Sequence, residues 1–155
     1  MKLRSEWQYM VSESQPGAAG DVPAKVFRIR RVGLRRMAFE APDAPRMNAA
    51  KIDWENVEVK IGRRVIASRG EIYELQLNLF AHAMDEAGTT VFRGTVEHVG
   101  VFRLTGYTDE EAYEVLRTKG AEQVYPFARE VMLSLVGRCG VQQFGLKPLT
   151  FELPE

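Results

Sequence analysis

The sequence predicts an α+β fold, a four-stranded antiparallel sheet with helices packed on one face. Three observations predict it. Tyr73–Leu79 and Thr90–Leu104 alternate apolar and polar residues with the two-residue period of strands, and they flank the short loop Asp85-Glu86-Ala87-Gly88. Two further β-rich segments, Val26–Phe39 and Val57–Val65, precede them. After them, Thr108-Asp109-Glu110-Glu111 forms a capping box and a helix-forming stretch runs on to Arg138.

Residues 1–24 read as an N-terminal extension, because Ser12, Ser14, Pro16, Gly17, Gly20 and Pro23 crowd into a linker. The folded domain is expected over 25–155. Val26–Val32 is the first strand, with Gly33 as its expected bulge. It resumes at Leu34 and stops before Pro42 and Pro45, which lack an N–H to donate. Met47–Glu55 is a connection holding Trp54. Val57, Val59, Ile61 and Val65 then alternate with Glu58, Lys60 and Arg64, as in a half-buried strand that ends in the turn Ser68-Arg69-Gly70.

In the third strand Tyr73, Leu75, Leu77, Leu79 and Ala81 share one face. In the fourth, Phe92, Val96, Phe102 and Leu104 share a face with Gly94, His98 and Gly100. Those glycines leave room for a close approach to the sheet. The capping box starts a short helix to about Arg117, and Gly120 is expected to break it. The next helix covers about Ala121–Arg138, with Pro126 inside its first turns, where a missing N–H costs least. Cys139-Gly140 ends it, and Val141–Glu155 is an extended tail.

The 155 residues suffice for one core and are few for two. Lys+Arg and Asp+Glu both number 21, so no net charge draws the chain to nucleic acid or an anionic membrane. Cys139 is the only cysteine, which rules out an intrachain disulfide. No apolar run opens the chain or approaches the roughly 20 residues that cross a bilayer. The cytoplasm is the expected address, and no membrane partner is expected.

The residues that carry chemistry are sparse. His82 and His98 lie on adjacent strands but lack the further ligands that a metal needs. Cys139 has no base beside it in sequence. The carboxylates of Asp85-Glu86 and Asp109-Glu110-Glu111 sit in a loop and at a helix N-terminus, where they complement the dipole. Gly62, Gly88, Gly94 and Gly100 build no phosphate loop. The expectation is a binding protein, with no catalytic residues, metal or cofactor. Two clusters stand out. Lys25, Arg28, Arg30, Arg31, Arg35 and Arg36 form a basic strand, read either as a docking surface for acidic protein or RNA or as a solvated edge. Trp54 and Phe144 fall in irregular segments beside the sheet, where aromatics can line a groove for extended polypeptide or a lipid-like ligand.

Over about residues 26–151 the order of segments resembles SecB, the bacterial protein-export chaperone family. The resemblance is carried by Phe39-Glu40-Ala41-Pro42-Asp43-Ala44-Pro45, by Trp54 followed by Val57-Glu58-Val59-Lys60-Ile61, and by Tyr73-Glu74-Leu75. Gly100-Val101-Phe102 with Gly106, and Tyr125-Pro126-Phe127-Ala128-Arg129-Glu130, complete it. It implies a homotetramer, a dimer of dimers, holding unfolded or nascent polypeptides without ATP in apolar surface grooves. By match, Trp54, Phe102, Tyr125, Phe127, Phe144 and Leu146 would line the groove, and Gly94, Val96 and His98 would form the tetramer interface. Export members dock the motor ATPase SecA through an acidic sheet surface and a C-terminal tail. Here the docking positions read Arg36, Glu40, Arg93 and Thr95, and the chain ends at Glu155, where export members continue. SecA docking is therefore expected to be weakened. SecB-like proteins also serve as dedicated chaperones in toxin–antitoxin–chaperone systems, and an antitoxin is the other partner the resemblance implies. From the residues alone, a small-molecule carrier and an RNA-binding adaptor using Arg28–Arg36 are the alternatives.

Overall fold

A computed structural model describes residues 24–46 and 51–150. Nearly all of the linker expected over 1–24, and the last five residues of the tail, lie outside the described residues. The strands are β1 (Val26–Glu40), β2 (Glu58–Arg69), β3 (Ile72–Met84) and β4 (Thr90–Thr105). β2, β3 and β4 form an antiparallel meander, and β1 pairs with β4, so the order is β1-β4-β3-β2. The chain between β1 and β2 joins the two edges. Its short helical turn Trp54–Asn56 follows an isolated bridge from Ile52 to Asp85. The loop after β3 is closed by Asp85, whose Oδ1 accepts from the Ala87 and Thr89 amides at 3.0 and 2.9 Å.

β1 is one continuous strand, and its irregularities are not at Gly33. Gly33 keeps register opposite Val99, while Arg30 and Arg35 are the extra residues at two register shifts. Each shift resets the alternation. As a result Phe27, Ile29, Val32, Leu34, Met37 and Phe39 all lie opposite the inward-facing β4 residues, Leu104 through Gly94. Without the bulges, Val32 and Leu34 would turn outward and Arg31 would turn in.

The helices are α1 (Asp109–Val115) and α2 (Ala121–Arg138), joined by a π-helical turn over Leu116–Gly120. The expected capping box starts α1. Thr108 Oγ1 accepts from the Glu111 amide at 3.3 Å, and Glu111 Oε2 accepts from the Thr108 amide at 3.0 Å. The Thr108 amide, then Lys25, hold the Glu111 carboxyl below its usual range. Gly120 does not break the helix; it and Ala121 keep right-handed helical backbone angles. The irregularity is absorbed by the wide turn, where the Thr118 hydroxyl donates to the Glu114 carbonyl at 2.9 Å. Pro126 therefore sits in the interior of a continuous helix and not near its start.

Packing explains why this helix persists. Gly120 and Pro126 disfavour helix by about 4 kcal/mol together. Each fully buried Leu, Val or Met side chain contributes about 1.5–3 kcal/mol, and Leu116, Val124 and Met132 are 0% exposed. α2 lies across β3 and β4, with Val124 over Gly100 and Met132 over Gly94. A Cβ on Gly100 would come within 2.6 Å of Val124 Cγ2, and one on Gly94 within 2.8 Å of Phe39 Cδ2 and 3.0 Å of Met132 Sδ. The close approach that the glycines foretell is thus made by the chain's own helix and its own β1. Leu75, Leu77 and Leu79 of β3 complete this core at 0% exposure. The opposite sheet face carries no helix among the described residues. A closed barrel, which a small-molecule carrier would use, is not what these strands form.

Gly100→Val should destabilise the protein by about 2–3 kcal/mol through overpacking against Val124. Gly33→Ala, with nothing within 4 Å of its Cβ position, should change stability by less than about 0.5 kcal/mol. Urea unfolding of both variants checks this, and equal costs would contradict the close seat of α2.

Candidate functional site

α2 is narrower than the sheet, so both edge strands extend past it and leave apolar residues uncovered. On one flank, Phe127 projects toward β1 and lines a cleft of about 450 Å3 with Ile29, Val32 and Gln123. Phe127 and Leu34 are each 47% exposed and Met37 52%. On the other flank lies the C-terminal segment. The Tyr125 hydroxyl donates to the Lys147 carbonyl at 2.9 Å, and Arg129 Nε donates to the Leu146 carbonyl at 2.5 Å. Val141 and Leu146 of that segment are buried. Phe144 meets Phe92 edge-on at 5.2 Å, and Phe92 stacks on Phe39 at 6.1 Å.

Trp54 stands at the same end of the sheet. The backbone of Asp53 is bonded to Met84 at the end of β3, and Trp54, Val57 and Ile61 pack part-exposed against the core, as do Phe144 and Leu149. Val59, on the inward face of β2 opposite Ala81, is 42% exposed. Part-exposed apolar residues therefore gather at this end of the sheet, Trp54 and the start of β2 among them, with Phe144 over Phe92. Its chemistry is shape and desolvation. Extended polypeptide can lay apolar side chains on it, and the outer edge of β2 offers unpaired backbone groups.

The six expected groove residues thus separate into three places. Tyr125, Phe144 and Leu146 gather on the tail flank, at whose rim Trp54 stands. Phe127 is on the β1 flank. Phe102 is in neither, being fully buried and packed against Phe27 at 5.4 Å. Leu34, Met37 and Val59 were not singled out in the sequence. Two bulges disguise the pattern of β1, and Val59 reads as an ordinary core position of a strand.

Gly94, Val96 and His98 lie beneath α2 of their own chain, Val96 at 0% and His98 at 4% exposure. Within one copy they face helix rather than an outer surface. His98 is flanked by Leu34 and Leu77. Its Nδ1 is buried without a hydrogen-bond partner, and burial lowers the imidazole pKa from its ordinary 6.5. His82 lies on the opposite face, opposite Arg93, with Nε2 2.9 Å from Thr90 Oγ1. The two histidines are not neighbours, and no metal-holding cluster exists among the described residues. Cys139 is buried, donates to the Val136 carbonyl and has its thiol pKa raised by burial, which suits a structural residue. The four docking positions come together: Arg36 lies opposite Glu97, Thr95 opposite Ala38 and Glu40 opposite Arg93, all on the outer sheet face.

The family model "Preprotein translocase subunit SecB" matches residues 21–153. A protein-export protein SecB of Halorhodospira halophila is 33% identical over 137 residues, covering 88% of this chain and 78% of that protein. Another, of Actinobacillus succinogenes, is 27% identical over 145 residues, covering 92% and 86%. A SecB-like chaperone of Mycobacterium tuberculosis, solved with a peptide of an antitoxin, superposes with a TM-score of 0.59 at 20% identity, over 83% of this chain and 90% of that one.

The buried His98 sets a pH dependence. Its folded pKa is lowered, so the unfolded chain binds the proton more readily, and stability should fall as pH drops below about 6.5. His98→Leu should flatten that part of the profile. Urea midpoints at pH 7.5 and 5.5 test it, and an unchanged slope in the variant would show that another group titrates.

Proposed function

The chain belongs to the SecB family, and from that premise we propose that it is an ATP-independent holdase which takes extended apolar segments of unfolded polypeptide into the groove between Trp54, the start of β2 and the C-terminal segment. The family is one of chaperones and not of enzymes. The observation that carries the proposal is the uncovered apolar rim of Trp54, Val57, Val59 and Ile61 beside Phe144 and Leu149. Apolar burial yields roughly 25 cal/mol per Å2 and is non-directional, so such a rim accepts many sequences and holds each modestly. Clients leave by folding or by handover to a partner.

Assembly uses the other flank. Leu34, Met37 and Phe127 are large, exposed and contiguous with the open edge of β1, a surface that favours covering by a second copy. We place the contact of the expected homotetramer there. The cytoplasm is the proposed compartment, where clients are met unfolded. Between export and dedicated service to an antitoxin, the arginines at the docking positions favour the second, since a face made for basic SecA contacts repels them when its sign reverses.

Two outcomes test the two flanks separately. Trp54→Ala combined with Val59→Ser should weaken suppression of aggregation of an unfolded model protein about tenfold, about 1.4 kcal/mol, with the oligomeric mass unchanged. Leu34→Asp with Met37→Asp should instead lower the mass in analytical ultracentrifugation by placing charge at a packed contact. Loss of assembly in the first variant, or an unchanged mass in the second, would reverse the assignment of the flanks.

A further inference from the structure

Val57 and the inward residues of β2, Val59, Ile61, Arg63 and Val65, form one row at the edge of the sheet. The last four lie opposite Ala81, Leu79, Leu77 and Leu75 of β3, which are all 0% exposed. The row itself is part-open: Val59 is exposed and the other four are half-buried. Between Arg63 and α1 lies a cleft of about 620 Å3. Its lining combines Arg63 and Arg117, Tyr113 and Thr118, and the carboxylates of Asp109, Glu110 and Glu114, so it selects no single charge. Tyr113 is 42% exposed there. β2 is also an edge strand, and among the described residues no strand pairs with its far side.

The sequence supplies a matching segment before the described residues. Leu3, Ser5, Trp7, Tyr9 and Val11 alternate with Lys2, Arg4, Glu6, Gln8 and Met10, the two-residue period of a segment with one apolar face. Leu3 and Val11 have the same separation in sequence as Val57 and Val65. We infer that the open edge and inner face of β2 dock the chain's own segment Leu3–Val11 as an added strand parallel to β2. Leu3 then falls beside Val57, Trp7 beside Ile61, and Tyr9 beside Arg63 at the cleft, where an aromatic face meets a guanidinium. Reach sets the direction. Val26 stands at the end of the sheet where β2 finishes, about 22 Å from Val65 by strand spacing and rise. Residues 12–25 span at most about 50 Å. The opposite direction would need about 45 Å, close to full extension. Charge selects this flank over the other. Lys2 and Arg4 arrive near Trp54, whose neighbour Glu55 is exposed, whereas the cleft at Phe127 carries Arg30 and Arg31, which repel them. Docked in this way the segment covers Val57, Val59 and Ile61 and competes with clients as a tethered ligand. That competition rests on the holdase reading, and the docking does not.

The test uses the full chain with Trp54→Phe, which leaves Trp7 as its only tryptophan. Acrylamide should quench Trp7 at least threefold less than it quenches a free peptide of residues 2–12. Val59→Asp should bring quenching close to that of the peptide. Leu3→Ser with Tyr9→Ser should do the same while leaving β2 untouched, which serves if the first variant unfolds the chain. Unfolded model polypeptide should also free Trp7. Trp7 quenched as in the free peptide, or indifferent to both variants, would overturn the inference. Protection lost on dilution would move the segment to a second copy and overturn docking within the chain. Polypeptide binding that leaves Trp7 protected would overturn the shared site. Trp7 protected and freed by both variants, in a chain that fails to suppress aggregation, would count against the holdase and for the docking.

Discussion

The structure depends on how closely α2 sits on β3 and β4. That seat is possible because two positions beneath it, Gly94 and Gly100, lack side chains, and the helix fills their space with Met132 and Val124. A helix held this low covers the central strands completely, as the 0% exposure of Leu75, Leu77, Leu79 and Phe102 shows. It cannot cover the edges as well. The uncovered inner faces of β1 and β2 are therefore a direct result of the tight core, and they are the surfaces proposed for contact with other chains. The same seat overrides local preference along the helix, carrying Gly120 and Pro126 through it with one π turn at Thr118.

β1 adds a second layer of control. An edge strand that must turn Phe27, Ile29, Val32, Leu34, Met37 and Phe39 inward while holding five arginines has to sort them between two faces, and simple alternation fails to do so. The extra residues at Arg30 and Arg35 solve this by shifting register twice. The apolar set turns toward the helix side, where Leu34 and Met37 remain exposed. The arginines Arg28, Arg31 and Arg36 turn outward. One strand thereby presents an apolar face on one side and charge on the other. The C-terminal segment does comparable work on the far flank. Tyr125 and Arg129 fix its backbone carbonyls, which leaves Phe144 and Leu149 as a wall for the groove.

The regular elements were legible in the sequence because burial on one face leaves a period. The face shared by Phe92, Gly94, Val96, His98, Gly100, Phe102 and Leu104 can be read directly, and so can the capping box at Thr108. The misreadings have physical causes. Gly33 resembled a bulge because glycine permits one, yet the true bulges carry arginine, for which composition gives no sign. Gly120 resembled a stop because its propensity is poor, yet it lies in the packed core, where a Cβ would meet Leu75 Cδ2 and Phe102 Cζ at 3.4 Å. The glycine-lined face announced a close approach but not by whom, and within one copy α2 and Phe39 make it. Of the residues proposed for the groove, Trp54, Tyr125, Phe144 and Leu146 could be named from the sequence. Phe102 was not separable from them, because an aromatic that is 0% exposed and one at a rim look alike in sequence.

The proposed function places the protein's work on uncovered apolar walls positioned by its core. The most direct measurement is native mass spectrometry of the purified protein mixed with a reduced, permanently unfolded model polypeptide and, separately, with the same polypeptide folded. The account predicts an oligomer that retains the unfolded chain and ignores the folded one. An assembly that binds neither, or both equally, would contradict it.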